Sequence, residues 1–219
     1  KQAKQPEAVA DFIHNMGILS FIDPVYALCV GTFESNVYEM VSAYSTFVNE
    51  GVHIDPIFVT RIEDRQGNLL ASFNTTTSVA ISEQTAYTMP GMLRNVVTSG
   101  TAGRLIREHG FAGVEAGGKT GTSNENRDAW FVGVTPNLVA GAWCGGEDQS
   151  VHITGTGEGG AALALPIFGR FITKVYADPR LGVKPTDTFS RPNNVVVYDC
   201  DEENRQQEAE TEIQDEFFD

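Results

Sequence analysis

The amino-acid sequence predicts an α+β fold in which helices flank an antiparallel sheet. Amphipathic helical runs occupy much of the chain, and two β-type runs near residue 136 are separated only by a tight turn. Strands joined by so short a turn pair antiparallel, because a parallel pair needs a longer crossover connection. The 219 residues, of which 41% are hydrophobic, suffice for one core with a small annex. We therefore expect one domain over residues 1–177, followed by an extended arm and an acidic, disordered tail over residues 178–219.

Two helices are predicted in the first part of the chain. Pro6–Met16 carries apolar side chains at helical spacing, begins with a proline suited to the first turn and is followed by Gly17, which can end the helix. An extended connector comes next. The second helix begins after Asn36, which has Glu39 three residues further on in the pattern of a capping box, and it stops at Gly51.

A hairpin and a third helix follow. Asp55–Asp64 alternates well enough for a strand, residues 65–68 resemble a turn, and Leu69–Phe73 returns as the second strand. The third helix is predicted over residues 82–98. Its internal Pro90-Gly91 pair should kink or split it, because proline removes a helical hydrogen bond and crowds the preceding turn.

The C-terminal half is predicted to contain the sheet. A flexible corner at residues 99–103 leads into a short helix, and a glycine-rich link at residues 155–160 leads into a helix that closes one face. The link lacks the lysine and the strand–loop–helix context of a phosphate-binding loop, so we interpret it as flexible. The predicted elements are the helix Arg104–His109, the strands Val114–Thr122, Ala129–Thr135 and Leu138–Cys144, and the helix Ala161–Tyr176.

Charge and metal-binding residue types limit the function classes. The formal net charge is −14, whereas nucleic acids and anionic membrane surfaces attract clustered Lys and Arg, so we expect neither as a direct partner. Residues 199–219 contain ten acidic side chains and one arginine, a pattern typical of a solvated tail. Cys29, Cys144 and Cys200 lie far apart and the four histidines are scattered. This spacing indicates no zinc site, and we expect no metal and no cofactor.

The stretch Gly117–Thr122, Gly-Gly-Lys-Thr-Gly-Thr, carries the most chemistry. On a strand, alternation sends Lys119 and Gly121 to one face and Thr120 and Thr122 to the other, unless a twist or bulge brings them into one cleft. A glycine at position 121 lets a substrate backbone approach and add to the sheet. The threonine hydroxyls can then bind a carboxylate, and the lysine supplies positive charge and proton transfer.

This stretch and its surroundings resemble the class A, bifunctional penicillin-binding proteins. Residues 117–133 are similar to the third active-site motif of that family and the strand that follows it. Residues 28–51 resemble the helix after the second motif, residues 94–102 the segment ahead of the third, and residues 159–168 the closing helix. Because the similarity is collinear over roughly residues 6–176, the chain is identified as the C-terminal part of such a transpeptidase domain.

The resemblance implies a serine transpeptidase and β-lactamase-like fold and a peptidoglycan D,D-transpeptidase. Such an enzyme cross-links stem peptides ending in D-Ala-D-Ala through a serine acyl-enzyme and is acylated by β-lactams. Lys119 would hydrogen-bond the serine of an S-x-N motif and shuttle its proton, and the N–H of Thr122 would form half of the oxyanion hole. The residues implied for substrate binding are Gly118, Thr120, Gly121, Thr122 and Ser123.

The family also implies a location and further partners. No apolar run in the sequence is long enough for a membrane span, and the chain begins at Lys1 without a signal peptide. We therefore expect an upstream segment to anchor the protein at the periplasmic face of the cytoplasmic membrane, next to a glycosyltransferase domain. Within these residues we expect no direct membrane contact. Cell-wall assembly proteins are additional expected partners.

The sequence departs from the family pattern at the nucleophile. No serine is followed by a lysine three residues later, and Ser72-Phe73-Asn74 matches S-x-N only by letters, at the end of a predicted strand. We expect both motifs to lie upstream of Lys1 and these 219 residues to be inactive alone. Two alternatives stay open at this point. One is a D,D-carboxypeptidase or β-lactamase that uses water as acceptor, and the other is a non-catalytic peptide-binding module of the same fold.

Overall fold

Helices and short strands alternate along the chain, which a computed structural model describes at residues 5–148, 150–154 and 159–193. Single 3₁₀ turns lie at Tyr26–Val30, Asn124–Asn126, Gly159–Ala161 and Pro179–Leu181. In order, the elements are α1 (Pro6–Asn15), α2 (Val37–Val48), β1 (Val52–Ile54), β2 (Arg61–Glu63), β3 (Leu69–Ser72), β4 (Thr77–Val79), α3 (Glu83–Thr98), α4 (Arg104–His109), β5 (Gly117–Thr122), β6 (Asp128–Val134), β7 (Val139–Gly145) and α5 (Ala164–Tyr176).

The predicted N-cap of α2 is confirmed, but the Glu39 side chain does not complete the predicted capping box. The Asn36 side chain accepts a hydrogen bond from the Glu39 N–H at 3.0 Å, as an N-cap should. The Glu39 carboxylate does not return to the cap. It accepts hydrogen bonds from the backbone N–H groups of Leu19 and Ser20 and from the hydroxyls of Ser20 and Ser35. This buried carboxylate therefore ties α2 to the chain that precedes it.

The third helix and the hairpin are found where the sequence predicts them. Pro90 lies buried inside α3, and the helix continues through it without the predicted split. Strands β2 and β3 form the predicted antiparallel hairpin, although its first strand is much shorter than expected. A second antiparallel ladder, β1 with β4, was not predicted.

The central sheet has the order β5-β6-β7 and separates two layers of helices. One face meets α5: the rings of Phe131 and Phe168 pack edge to face with centroids 5.2 Å apart. The other face meets α2 and α3, so closely that a Cβ at Gly141 would lie 2.8 Å from Val41 Cγ2 and a Cβ at Gly117 2.7 Å from the Cβ of Leu93. The helices thus hold the sheet from both sides.

Buried residues form two clusters. The first lies between the central sheet, α4 and α5, and the second joins α1, the following connector, α2 and the start of α3. The first consists of Val97, Ala102, Leu105, Phe111, Ala116, Phe131, Ala142, Ala164, Leu165, Phe168 and Ile172. The second consists of Ala10, Met16, Ile18, Ile22, Leu28, Ala43, Ile81 and Ala86.

The described part of the predicted arm folds back along the domain. The Phe189 N–H donates to Glu115 Oε2 at 2.8 Å, and the Asn137 side-chain amide donates to Asp187 Oδ2 at 2.6 Å. Arg94 Nη1 also binds Glu115, at 3.2 Å. The division of the chain at residue 177 stays a prediction, and the predicted acidic tail lies outside the described residues. Among the described helices, none has the length and apolarity that a bilayer crossing requires.

Candidate functional site

Strand β5 is an edge strand of the central sheet as far as the described residues extend, because only β6 pairs with it. At its end, the Ser123 N–H donates to the Asp128 carbonyl at 3.2 Å. This contact makes Ser123 and Asp128 a hydrogen-bonded pair. Because hydrogen-bonded and non-hydrogen-bonded pairs alternate along an antiparallel ladder, Thr122 and Thr120 belong to non-hydrogen-bonded pairs. Their backbone N–H and C=O groups therefore point away from β6, toward the open edge.

The side chains of β5 alternate as the sequence predicts, because the ladder from Gly117 to Thr122 has no bulge. Lys119 lies on the same face as Gly121 and is exposed, and Thr120 and Thr122 lie on the opposite face. The Lys119 ammonium donates to the Thr120 carbonyl at 2.7 Å. One ammonium on one face, two hydroxyls on the other face and two outward backbone N–H groups thus lie along the same strand edge.

Both threonine hydroxyls are held from outside the strand. Thr120 Oγ1 lies 2.8 Å from Thr101 Oγ1, in the corner between α3 and α4. Thr122 Oγ1 accepts a hydrogen bond from the Gly160 N–H at 3.2 Å. The reasoning from residue patterns missed Thr101 and Gly160, because each contact joins distant segments, 19 and 38 residues apart. The only signal was that the family resemblance includes both segments.

The glycines around the strand are required by packing. A Cβ at Gly118 would lie 2.5 Å from Phe131 Cζ, and one at Gly160 would lie 2.2 Å from the Trp130 carbonyl oxygen. Gly159 adopts φ +55°, and a Cβ there would meet Thr122 Oγ1 at 2.2 Å. Gly159 and Gly160 are buried, so the flexible-link interpretation is wrong for these two residues, whereas residues 155–158 lie outside the described ones.

Polar side chains close the turn between β5 and β6. The Asp128 N–H donates to Ser123 Oγ at 2.8 Å, and the Asp128 carboxylate accepts from the Trp143 indole N–H at 2.8 Å. Arg127 pairs with Glu125 at 2.5 Å. Ser123 therefore has a structural contact of its own, and its predicted substrate contact stays a prediction.

The Ser72-Phe73-Asn74 match and the cysteines do not contribute to the site at β5. Ser72 of the S-x-N match pairs with Arg61 in the β2–β3 hairpin, which is a different sheet from that of Lys119. Cys29 and Cys144 are free thiols. Within the part of the chain that the structure describes, no three His, Cys, Asp or Glu side chains come together as metal ligands would.

Known proteins of one family match this chain in sequence. The model of the penicillin binding protein transpeptidase domain matches residues 26–143. Penicillin-binding protein 1A of Rickettsia conorii is 30% identical over 212 residues, which cover 88% of this chain and 26% of that protein. The chain thus spans about a quarter of the length of the curated relatives it matches.

Solved structures match as well, which confirms the predicted fold. Penicillin-binding protein 1A from Haemophilus influenzae superposes with a TM-score of 0.73 at 24% identity, over 87% of this chain and 33% of that one. PonA1 from Mycobacterium tuberculosis, solved in complex with penicillin V, gives 0.67 at 27% identity, over 87% and 54%. Because the family model covers more than half of the 219 residues, the chain belongs to the transpeptidase-domain family of the penicillin-binding proteins, among relatives of the class A type.

Proposed function

We propose that strand β5 of this chain, with Lys119, Thr120 and Thr122, forms one side of the active site of a D,D-transpeptidase that cross-links peptidoglycan stem peptides. The observation that carries the proposal is the edge of β5, where an exposed ammonium, two hydroxyls and outward N–H groups lie within four consecutive residues. The nucleophilic serine and the S-x-N motif come from a part of the protein outside these 219 residues. Membership of the transpeptidase-domain family supports this division, as does the absence of a Ser-x-x-Lys sequence.

The open edge suits an extended peptide substrate. A stem peptide that adds to β5 as a further strand can use the Thr120 N–H and the Thr122 carbonyl, which β6 leaves unpaired. Its terminal carboxylate then lies next to the two threonine hydroxyls, which can donate to it, and within the field of the Lys119 ammonium. Gly121 keeps the strand free of side-chain bulk where the substrate backbone passes.

The reaction is an acyl transfer through a covalent intermediate. The serine oxygen attacks the carbonyl carbon of the penultimate D-Ala, and the Thr122 N–H donates to the oxyanion that forms. The terminal D-Ala leaves with a proton, and the amine of a second stem peptide attacks the acyl-enzyme to restore the serine. Lys119 binds the S-x-N serine and moves its proton in both steps.

A β-lactam is expected to acylate the same serine, because its ring carbonyl and carboxylate copy the end of the donor peptide. The relative PonA1 was solved in complex with penicillin V, which supports this expectation. We further propose that the protein works at the periplasmic face of the cytoplasmic membrane, anchored by another segment, with a glycosyltransferase domain and with cell-wall assembly proteins as partners. The similarity of the chain to penicillin-binding proteins 1A and 1B supports this proposal.

Labelling with a fluorescent penicillin tests the proposal in the full-length protein that contains this chain. We expect the wild type to label covalently, and Lys119→Ala to slow labelling by at least about 100-fold, the lower end of what a general acid–base group contributes. Lys174→Ala, which removes an exposed lysine from α5, should label like the wild type. The 219 residues alone should remain unlabelled.

Three results would contradict parts of the proposal. Labelling of Lys119→Ala at the wild-type rate would refute the role of the lysine. Stoichiometric labelling of a serine within residues 1–219 would refute the external nucleophile. Release of D-Ala from a donor peptide with no cross-linked product, in the presence of an acceptor amine, would favour a hydrolase over a transpeptidase.

A further inference from the structure

The hydroxyl hydrogens of Thr120 and Thr122 decide whether β5 can bind a carboxylate. A threonine hydroxyl has one hydrogen to donate and two lone pairs that accept, whereas a carboxylate only accepts. A threonine whose hydrogen is already donated inside the protein has none left for a carboxylate. The internal partner of each hydroxyl therefore determines what the strand edge can recognise.

Thr122 has its hydrogen available. Its partner is the Gly160 N–H at 3.2 Å, which can only donate, so Thr122 Oγ1 is the acceptor in this contact. Gly160 is buried and lies flush against the sheet, where a Cβ would come within 2.5 Å of the Gly121 carbonyl oxygen. The acceptor arrangement of Thr122 is thus fixed by packing.

Thr120 has two arrangements. Its oxygen lies 2.8 Å from that of Thr101, and either hydroxyl can be the donor. If Thr120 donates, its only hydrogen is used inside the protein. If Thr101 donates, Thr120 keeps its hydrogen and can pass a hydrogen bond on to a bound carboxylate. Hydrogen bonds in such a chain polarise and strengthen one another, so a carboxylate at β5 selects the second arrangement.

Thr101 lies on a tight corner rather than the flexible one that the sequence predicts. The Ala102 N–H donates to the Val96 carbonyl at 2.9 Å, and the Gly103 N–H donates to the Gly100 carbonyl at 3.2 Å. Ala102 is fully buried, and a Cβ at Gly100 would lie 2.9 Å from the Cα of Val96. The corner therefore holds the Thr101 hydroxyl beside the open edge of β5.

We propose that Thr101 is a positioning residue for carboxylate recognition: it donates to Thr120 Oγ1 and thereby makes Thr120 a donor to the carboxylate of the substrate. The Gly160 N–H does the same for Thr122 through the backbone. Thr101 acts through Thr120 and does not touch the substrate. The inference rests on the proposed function and adds to it a residue that controls specificity for a free carboxylate over a neutral end group.

Acylation kinetics with two probes test this inference in the full-length protein. Benzylpenicillin carries the carboxylate, and its methyl ester has the same ring without the charge. Thr101→Val removes the hydroxyl at nearly constant volume and should lower the second-order acylation rate by about tenfold for benzylpenicillin, as expected for the loss of one hydrogen bond to a charged group. For the ester the rate should change less than about twofold, because the charge-assisted hydrogen bond is absent from that complex.

Two further variants separate positioning from folding. Thr101→Ser keeps a hydroxyl and should restore the rate with benzylpenicillin. Thr98→Val removes an exposed hydroxyl that donates to the Arg94 carbonyl on α3, and it should react like the wild type with both probes. Retained reactivity of Thr101→Val with the ester shows that the variant is folded.

Each remaining outcome refutes a defined statement. Equal losses with both probes in Thr101→Val would give Thr101 a purely structural role and overturn the inference. An unchanged rate with benzylpenicillin would do the same. A wild-type protein that reacts with neither probe would refute the proposed function, and the inference would fall with it.

Discussion

Gly118→Ala is expected to destabilise the fold, although the sequence assigned this glycine to substrate binding. An added Cβ would lie 2.5 Å from Phe131 Cζ and 2.9 Å from the Val132 carbonyl oxygen. Neither group can move away. Phe131 is fully buried and packs against Phe168, and the Val132 carbonyl belongs to the backbone of β6.

The size of the effect follows from overpacking of a close-packed core. Extra atoms forced into such a core cost about 1–3 kcal/mol in the free energy of unfolding. For a domain of roughly 150–250 residues, each kcal/mol lowers the melting temperature by about 2–4 °C. A loss of about 2 kcal/mol would thus lower the melting temperature of Gly118→Ala by roughly 4–8 °C.

Urea unfolding followed by tryptophan fluorescence measures this change. The two tryptophans, Trp130 and Trp143, lie in β6 and β7 and report on the central sheet. Gly91→Ala is the matched control, because Gly91 lies inside α3 and an added Cβ there meets nothing within 4 Å. Replacing glycine by alanine inside a helix raises the free energy of unfolding by about 0.5–1 kcal/mol, so the control variant should be more stable than the wild type.

The packing explanation has a clear counter-result. A free energy of unfolding for Gly118→Ala within about 0.5 kcal/mol of the wild type would refute it. If such a stable variant also lost reactivity with penicillin in the full-length protein, Gly118 would serve the approach of substrate, as the sequence suggested.

Three more predictions test the core and two ionisable groups. Phe168→Ala should cost about 3–5 kcal/mol in the free energy of unfolding, whereas Phe171→Ala, on the exposed side of the same helix, should cost less than about 1 kcal/mol, and equal losses would contradict the assigned core. Burial is the main cause that lowers the pKa of His109 below 6.5, so the unfolded chain binds this proton at a higher pH than the folded chain does. The free energy of unfolding should therefore fall as the pH drops below about 6.5, and this fall should be absent in His109→Gln. Burial acts to raise the pKa of Glu39, but hydrogen bonds from Ser20, Ser35 and Leu19 outweigh it and hold the pKa below 4.5. The Glu39 carboxylate therefore stabilises the fold above pH 4.5, and this contribution is lost as the pH falls through the folded-state pKa; unfolding free energies measured from pH 7 to 3 that lack this step, or that keep it in Glu39→Gln, would contradict the assignment.

Local signals made most of the fold predictable. Asn36 begins α2 because its own side chain caps the helix, and the tight turn after β6 sets the pairing with β7. Longer-range features were not predictable. Three of the four hydrogen bonds to the Glu39 carboxylate come from Leu19 and Ser20, about twenty residues before it. The β1–β4 ladder joins strands of only three residues each, which are too short for an alternating pattern to identify them. Pro90 also fits into α3 without breaking it, since the surrounding packing outweighs the local preference.

The candidate site divides in the same way. Period-two alternation was enough to place Lys119 opposite Thr120 and Thr122. It could not show that Thr101 and Gly160 hold the two hydroxyls, because those contacts depend on how α3 and α5 pack against the sheet. Site glycines posed a related difficulty: the letter alone does not tell whether the space at Gly118 is needed by a substrate or by Phe131.

Open strand edges are also the places where protein molecules join into aggregates. In β5, the Lys119 ammonium already occupies the Thr120 carbonyl, which is an acceptor that a second copy of the strand would need. A second copy would also bring its own Lys119, so pairing of two such edges would place like charges close together. A peptide that carries a carboxylate meets attraction at the same position. The lysine therefore favours an incoming strand that carries a negative charge and disfavours one that carries a positive charge.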